Sequence, residues 1–228
     1  MMSAYEILKA RGVTRLCHFT KFQSLTHILP QEDGILPSNA IRQDTKHVND
    51  SARYDGELES VCCSVQYPNS WFMKCAENKN LDKIFRDWVV LYIDPGILKD
   101  QKAKFCPCNA SKGNGRYISE NMSEVGRIFE AVLPTFCHAR PEKMLPCCPT
   151  DGQAEILIEQ GVPRNRIFGI AVGTEKMAGR VFGMLEDLGL EKQIRIWIAP
   201  DVLTQNWSSI VRGGGTPTET LYDSSREE

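Results

Sequence analysis

An uninterrupted apolar run over residues 88–93, Trp-Val-Val-Leu-Tyr-Ile, constrains the fold of this chain more than any other stretch. Its aromatic and β-branched residues favour a buried strand, and the turn signal Asp94-Pro95-Gly96 ends it. Further short runs of this kind are predicted to be strands at 16–20, 61–67, 153–158, 167–172 and 194–198.

Helical patterns lie between several of these runs. The clearest one starts after Thr174, a helix-capping residue, and has Val181 and Leu185 on its apolar face. Short strands with interspersed helices predict an α+β fold. We expect residues 1–211 to form a single domain, whereas the Gly, Thr, Ser and Glu content of residues 212–228 predicts a disordered tail.

Composition restricts the function classes. The chain has 228 residues, enough for one good-sized core, and a formal net charge of −2. No overall positive field indicates a nucleic-acid partner, so such binding would need a local patch. No apolar run is long enough to span a bilayer, and the N-terminal residues lack the apolar region of a signal peptide. These features predict a cytoplasmic protein without a membrane partner.

The nine cysteines raise the question of a metal site. Their odd number and the lack of a secretion signal predict reduced thiols rather than disulfides. Cys106-Pro107-Cys108 and Cys147-Cys148 suggest a metal site, but structural zinc ligands are typically separated by two to four residues. We therefore predict no metal.

The stretch 151–158 places two polar residues, Gln153 and Glu155, at the entrance of a predicted strand. Their separation of two puts both side chains on one face of that strand. A carboxylate held at the end of a rigid strand can stabilise a developing positive charge. A solvated strand end, with Glu155 pointing into water, explains the same pattern, and both interpretations are open at this point.

Two other segments contain candidate functional residues. His18 and Thr20 share one face of the first predicted strand, directly before a helical pattern. The polar stretch 38–57 has little apolar periodicity and predicts a long loop, a feature that is usually functional or disordered. Arg53 lies near the end of this loop, just ahead of the strand at 61–67.

Taken in order along residues 15–172, these segments resemble DarT-type ADP-ribosyltransferases. The resemblance is carried by 16–20, 34–36, Arg53-Tyr54-Asp55-Gly56, 61–69, 88–95, Phe105-Cys106-Pro107-Cys108-Asn109-Ala110 and 149–155. Cys108 departs from the pattern, because a different residue is expected there. The resemblance implies an ADP-ribosyltransferase-like fold with a central twisted split β-sheet and flanking helices. It also implies a toxin that moves ADP-ribose from NAD onto a base in single-stranded nucleic acid and is paired with an antitoxin protein.

The resemblance also implies roles for the candidate residues. Glu155 would be the catalytic carboxylate that stabilises positive charge on the ribose as nicotinamide leaves. His18, Thr20 and the backbone of Phe19 would hold the ribose and the nicotinamide amide of NAD. Gln153 belongs to the same predicted cofactor-binding set.

The remaining roles concern the phosphates and the acceptor. Arg53 would contact an NAD phosphate or assist removal of a proton from the acceptor base, and its high pKa favours the positioning role. The loop 134–152 would recognise the acceptor. In that loop Arg140 and Lys143 could meet phosphates, and His138 could stack on a base or hydrogen-bond with it. A solvated surface loop explains these three residues equally well.

Two alternatives to this function are kept. One is an ADP-ribosyltransferase that modifies a protein side chain, since a Gln-x-Glu pair and a near-zero net charge suit such an acceptor. The other is a non-catalytic module that keeps the NAD-binding fold. For a nucleic-acid acceptor, DNA is favoured over RNA, and the sequence does not choose the base.

Overall fold

The computed structural model describes residues 2–41, 55–79, 87–133 and 138–226. Its strands are β1 (Leu16–Lys21), β2 (Ser60–Val65), β3 (Trp88–Ile93), β4 (Ala103–Cys106), β5 (Val132–Leu133), β6 (His138–Ala139), β7 (Glu155–Glu159), β8 (Ile167–Val172), β9 (Arg195–Ile198) and β10 (Thr220–Leu221). The α-helices are α1 (Ala4–Ala10), α2 (Leu25–Ile28), α3 (Ser70–Lys79), α4 (Glu175–Asp187) and α5 (Asn206–Arg212). Short 3₁₀ helices cover Phe22–Ser24, Pro95–Lys99, Met122–Phe129, Arg164–Arg166 and Ser224–Arg226. No helix within the described ranges has the length and apolar character needed to cross a membrane.

An eight-stranded mixed sheet organises the molecule, in the order β10-β9-β8-β3-β1-β2-β7-β4. Neighbouring strands are antiparallel except for β8 and β9, which are parallel. A parallel pair needs a crossover connection, and α4 supplies it. The predicted cap of α4 is confirmed, because Thr174 Oγ1 accepts a hydrogen bond from the Met177 amide at 3.2 Å.

The central position of β3 explains its apolar run. This strand pairs with β1 on one side and with β8 on the other. Val89 and Leu91 belong to the hydrophobic cluster on one face of the sheet, and Val90 and Tyr92 belong to the cluster on the opposite face. Both faces of β3 are therefore buried, as the sequence predicted.

The C-terminal segment differs from its prediction. Instead of a disordered tail from residue 212, the segment adds β10, in which Thr220 and Leu221 pair with Ile198 and Trp197 of β9. The prediction was wrong because polar composition does not show that β9 would otherwise end the sheet with unpaired backbone groups. β10 pairs with those groups. The expectation of disorder is therefore wrong for residues 212–226.

Candidate active site

A cavity of about 470 Å³ lies where the pairing between β1 and β2 ends. β1 pairs with β3 over six residues but with β2 at only two, Leu16 and Cys17. Beyond that point, residues of β1, β2 and β7 line the cavity together with the segment 33–38, which follows α2. The split sheet expected from the sequence thus becomes a site with polar groups from several strands.

Glu155 lines this cavity, together with two other acidic residues, Asp33 and Asp55. It is the first residue of β7 and lies between Ser64 of β2 and Cys106 of β4 in the sheet register. Its side chain is buried, since the residue is only 8% exposed. Of the two interpretations left open by the sequence, the solvated strand end is therefore wrong.

The hydrogen-bond donors to Glu155 come from the segment after β4. The amide of Ala110 donates to Oε2 at 2.8 Å, and Nδ2 of Asn109 lies 3.4 Å from Oε1. Asn109 is itself oriented, because its Oδ1 accepts hydrogen bonds from the amide and the hydroxyl of Ser111. A buried carboxylate is costly unless it is hydrogen-bonded, and these contacts supply the bonds in a defined direction.

Asn109, Ala110 and Ser111 are site residues that sequence reasoning missed. Asn109 and Ala110 were noticed only as part of a motif, and nothing local indicates that they face a residue 45 positions away in the chain. The signal that could have found them is the short run 103–106 just before them, which ends beside the start of β7.

His18 of β1 also lines the cavity. Its Nδ1 is 3.0 Å from the carbonyl oxygen of Cys62 on β2. A carbonyl only accepts, so Nδ1 has the proton, and this bond sets the orientation of the ring. The bond also bridges β1 and β2 beyond the point where their ladder ends.

Phe19 and Thr20 complete the β1 wall. Thr20 is buried at the cavity lining. The Phe19 ring packs against Phe72 of α3 at 5.9 Å and against Trp88 at 5.4 Å between ring centroids. His18, Phe19, Thr20 and Glu155 are thus brought together around one cavity.

Two of the predicted cofactor-binding residues are not placed there. Arg53 lies outside the described residues. Gln153 belongs to the turn before β7, where its amide donates to Asp151 Oδ1 at 2.9 Å, and it is not among the described residues that line the cavity. Because β7 begins at Glu155, the alternation that put Gln153 and Glu155 on one face does not extend to Gln153.

Of the predicted acceptor residues, His138 lies in β6, and Arg140 and Lys143 lie in the segment between β6 and β7, where their environments differ. Arg140 donates to the carbonyl oxygens of Cys148, at 2.5 Å, and of Leu145. Burial lowers the pKa of its guanidinium. Arg140 therefore holds its own loop together, whereas Lys143 is exposed to solvent. The backbone of His138 pairs with Leu133 in the small β5–β6 sheet.

No candidate metal-binding site is present within the part of the chain that the structure describes. Three or more His, Cys, Asp or Glu side chains do not come together there in a way that could hold an ion. The Sγ atoms of Cys106 and Cys108 are 3.6 Å apart as free thiols.

Several solved structures have a similar fold. DarT of Thermus sp. 2.9 in complex with ADP-ribosylated ssDNA matches with a TM-score of 0.63 and 15% identity, over 83% of this chain and 96% of that one. The same protein in complex with NAD+ matches with a TM-score of 0.58 and 16% identity, over 81% and 94%. Thermosipho africanus DarTG in complex with ADP-ribose matches with a TM-score of 0.55 and 15% identity, over 83% of this chain and 51% of that one. The fold is that of an ADP-ribosyltransferase, which confirms the fold prediction.

The sequence then identifies the family. The family model described as "ssDNA thymidine ADP-ribosyltransferase, DarT" matches residues 17–203. This chain belongs to the DarT family. The resemblance noted in its sequence and the predicted enzyme class, an NAD-dependent ADP-ribosyltransferase, are both confirmed. Among curated proteins there is no match.

Proposed function

We propose that this protein transfers ADP-ribose from NAD to a thymidine of single-stranded DNA, with Glu155 as the catalytic carboxylate. The observation that carries the proposal is the buried Glu155 carboxylate, oriented by Ala110 and Asn109 in a cavity shared with His18 and Thr20. A cavity of about 470 Å³ falls in the usual range for a bound cofactor. The family description supplies the acceptor.

The chemistry explains why a fixed carboxylate matters. As the bond between nicotinamide and ribose breaks, its electron pair leaves with nicotinamide, and positive charge develops on the ribose. The Glu155 carboxylate stabilises this charge, and it does so without reorganising because its donors already hold it in place. A thymine nitrogen, N3, then forms the new bond to the ribose carbon and loses its proton. The products are ADP-ribosylated DNA, nicotinamide and one proton.

The β1 residues that line the cavity are proposed to bind NAD. In this proposal the ribose and the nicotinamide amide are held by His18, whose ring is oriented by the Cys62 carbonyl, by the buried Thr20 and by the backbone of Phe19. We retain Arg53 as the expected phosphate contact or proton-transfer residue. Gln153 is expected to act through the turn before Glu155 rather than by touching NAD.

The acceptor is proposed to meet the segment between β6 and β7. The exposed Lys143 is its candidate phosphate contact, with His138 as a candidate base contact, and Arg140 supports both by bonding the carbonyls of its own loop. Lys143→Ala should weaken DNA binding and flatten its dependence on salt, without changing the affinity for NAD.

The direct test follows label from NAD. Labelled NAD would be offered with single-stranded DNA, single-stranded RNA, duplex DNA or a protein extract, to the wild type, Glu155→Gln and Glu159→Gln. Glu159 is the matched control, since it lies at the other end of β7. We expect label only in thymidine-containing single-stranded DNA, with a rate about 10²- to 10³-fold lower for Glu155→Gln.

Other results of this labelling experiment would point to a different acceptor or exclude Glu155. Label in protein alone would favour the alternative function, an ADP-ribosyltransferase that modifies a protein side chain. Label in RNA alone would mean that the acceptor is RNA and not DNA. A Glu155→Gln variant that melts like the wild type and keeps its rate would exclude Glu155 from the chemistry.

We also infer a toxin role with an antitoxin partner. Its support is the similarity to Thermosipho africanus DarTG, of which this chain matches 51%. Expression of the wild type should slow growth of a host cell, and expression of Glu155→Gln should not. Harmless overproduction of active wild-type protein would contradict the toxin role.

A further inference from the structure

The turn ahead of Glu155 is enclosed by two tryptophans. A Cβ atom placed on Gly152 would lie 2.9 Å from Cη2 of Trp207 and 3.0 Å from Cζ3 of Trp71. Real Cβ atoms hardly ever come so close to a neighbour, so this position excludes every residue other than glycine unless a ring moves. Glycine is therefore required at position 152 because the two rings leave no room for a side chain.

Trp207 is fixed by contacts on the side away from Gly152, and Trp71 packs against it. Trp207 of α5 is 1% exposed, and its Nε1 donates to Ser70 Oγ at 3.0 Å. Its ring stacks on Tyr67 with 5.2 Å between centroids and an interplanar angle of 23°. Trp71 meets Trp207 edge to face, at 5.7 Å and 82°, so the two indoles form a corner that receives Gly152.

The rest of the turn transmits this position to Glu155. The carbonyl of Asp151 accepts from the Ala154 amide at 3.0 Å, and Oδ1 of Asp151 accepts from the Gln153 amide at 2.9 Å. Asp151 and Ala154 are both buried. A displacement of Gly152 therefore moves the first residue of β7, because only two residues separate them and the amides of both are hydrogen-bonded within the turn.

We propose that Trp71 and Trp207 are positioning residues that clamp the turn at Gly152 and so set the place of the Glu155 carboxylate. The proposal rests on Glu155 as the catalytic group. Trp207 lies outside residues 17–203, the part that the family model matches. The C-terminal helix thus contributes to the site from beyond the family match.

The test separates position from folding. Gly152→Ala should lower kcat about 10- to 100-fold, since small misplacements of a reacting group have effects of this size, while KM for NAD changes less than about twofold. Trp71→Phe removes two of the three nearest atoms to the new Cβ, Cζ3 and Cη2 of Trp71, and leaves Cη2 of Trp207. The double variant Gly152→Ala/Trp71→Phe should therefore recover part of the lost kcat. Gly183→Ala is the control, because nothing lies within 4 Å of a Cβ at that position in α4.

A variant that does not fold is handled by Trp71→Leu alone. Trp71 is only half-buried, so this change should leave the fold intact and still loosen the clamp, with kcat reduced and KM for NAD kept. A wild-type kcat for Gly152→Ala or for Trp71→Leu would overturn the proposal, and so would a loss in Gly152→Ala that Trp71→Phe does not relieve. If instead Glu155→Gln keeps its rate, the proposed catalytic role of Glu155 fails, independently of the result for Gly152→Ala.

Discussion

Two carboxylates, the buried Glu155 and the partly buried Glu219, occupy opposite halves of the sheet and are held in different ways. Glu155 accepts hydrogen bonds from a backbone amide and a side-chain amide at the wall of an open cavity. Glu219 forms a bidentate ion pair with Arg15 at 2.8 and 2.5 Å and accepts from the Tyr92 hydroxyl at 2.7 Å. Both groups are largely removed from water, but only Glu155 faces a space in which a ligand can lie.

The environment of Glu219 is that of a structural pair. The Arg15 guanidinium lies over the ring of Tyr92 at 4.0 Å and near that of Tyr67 at 5.0 Å. Burial raises the pKa of the Tyr92 phenol, which keeps it neutral and able to donate. Arg15 and Tyr92 both donate hydrogen bonds to Glu219, so the cluster can hold the C-terminal segment against β1 and β3.

The comparison shows how the surroundings of a carboxylate determine its role. A carboxylate enclosed by its partners within the protein stabilises the fold, whereas a carboxylate at the wall of a cavity can also respond to a charge that appears there during a reaction. Three substitutions, together with those above, test this distinction.

The largest effect is expected for Arg15→Leu. It leaves the Glu219 carboxylate buried without its guanidinium, so the free energy of unfolding should fall by about 3–5 kcal/mol. Chemical denaturation measures the change. Arg180→Leu is the control, since its pair with Asp87 is 2.6 Å long but about two-fifths exposed, and it should cost less than about 1 kcal/mol. At a temperature where the folded form persists, Arg15→Leu should keep the wild-type KM for NAD, and a selective loss of NAD binding would break the comparison.

A smaller effect is expected for His18→Ala. Loss of the oriented ring should weaken NAD binding about tenfold, because an oriented polar contact to the cofactor disappears. Calorimetry with NAD measures this. His18→Gln, whose amide can still donate to the Cys62 carbonyl, should recover part of the affinity. Unchanged affinity in His18→Ala would remove this residue from the site.

The smallest effect is expected for Asn109→Ala. The Ala110 amide still holds Glu155, so one long hydrogen bond of about 1 kcal/mol is lost and kcat should fall about fivefold. Steady-state kinetics with labelled NAD measures it, with Asn206→Ala as the control, because that side chain bonds Asp201 on an exposed surface. A drop as large as that of Glu155→Gln would mean that Asn109 itself touches the substrate.

Local patterns in the sequence determined much of this protein. The runs that became β1, β2, β3, β7, β8 and β9 were all predicted, because propensity and burial leave their mark within a few neighbouring residues. The same locality let His18 and Glu155 be noticed as polar groups in or beside apolar strands. The family resemblance supplied their proposed roles.

Only the tertiary structure decided which distant groups meet. It placed Asn109 and Ala110 on Glu155, gave Arg140 to the carbonyls of its own loop and set Trp207 against Gly152. It also turned a polar C-terminal segment into an edge strand with a buried ion pair, through Glu219. The physical reason is that strand order and long-range packing determine these contacts, and neither the period of a pattern nor the composition of a window contains that information.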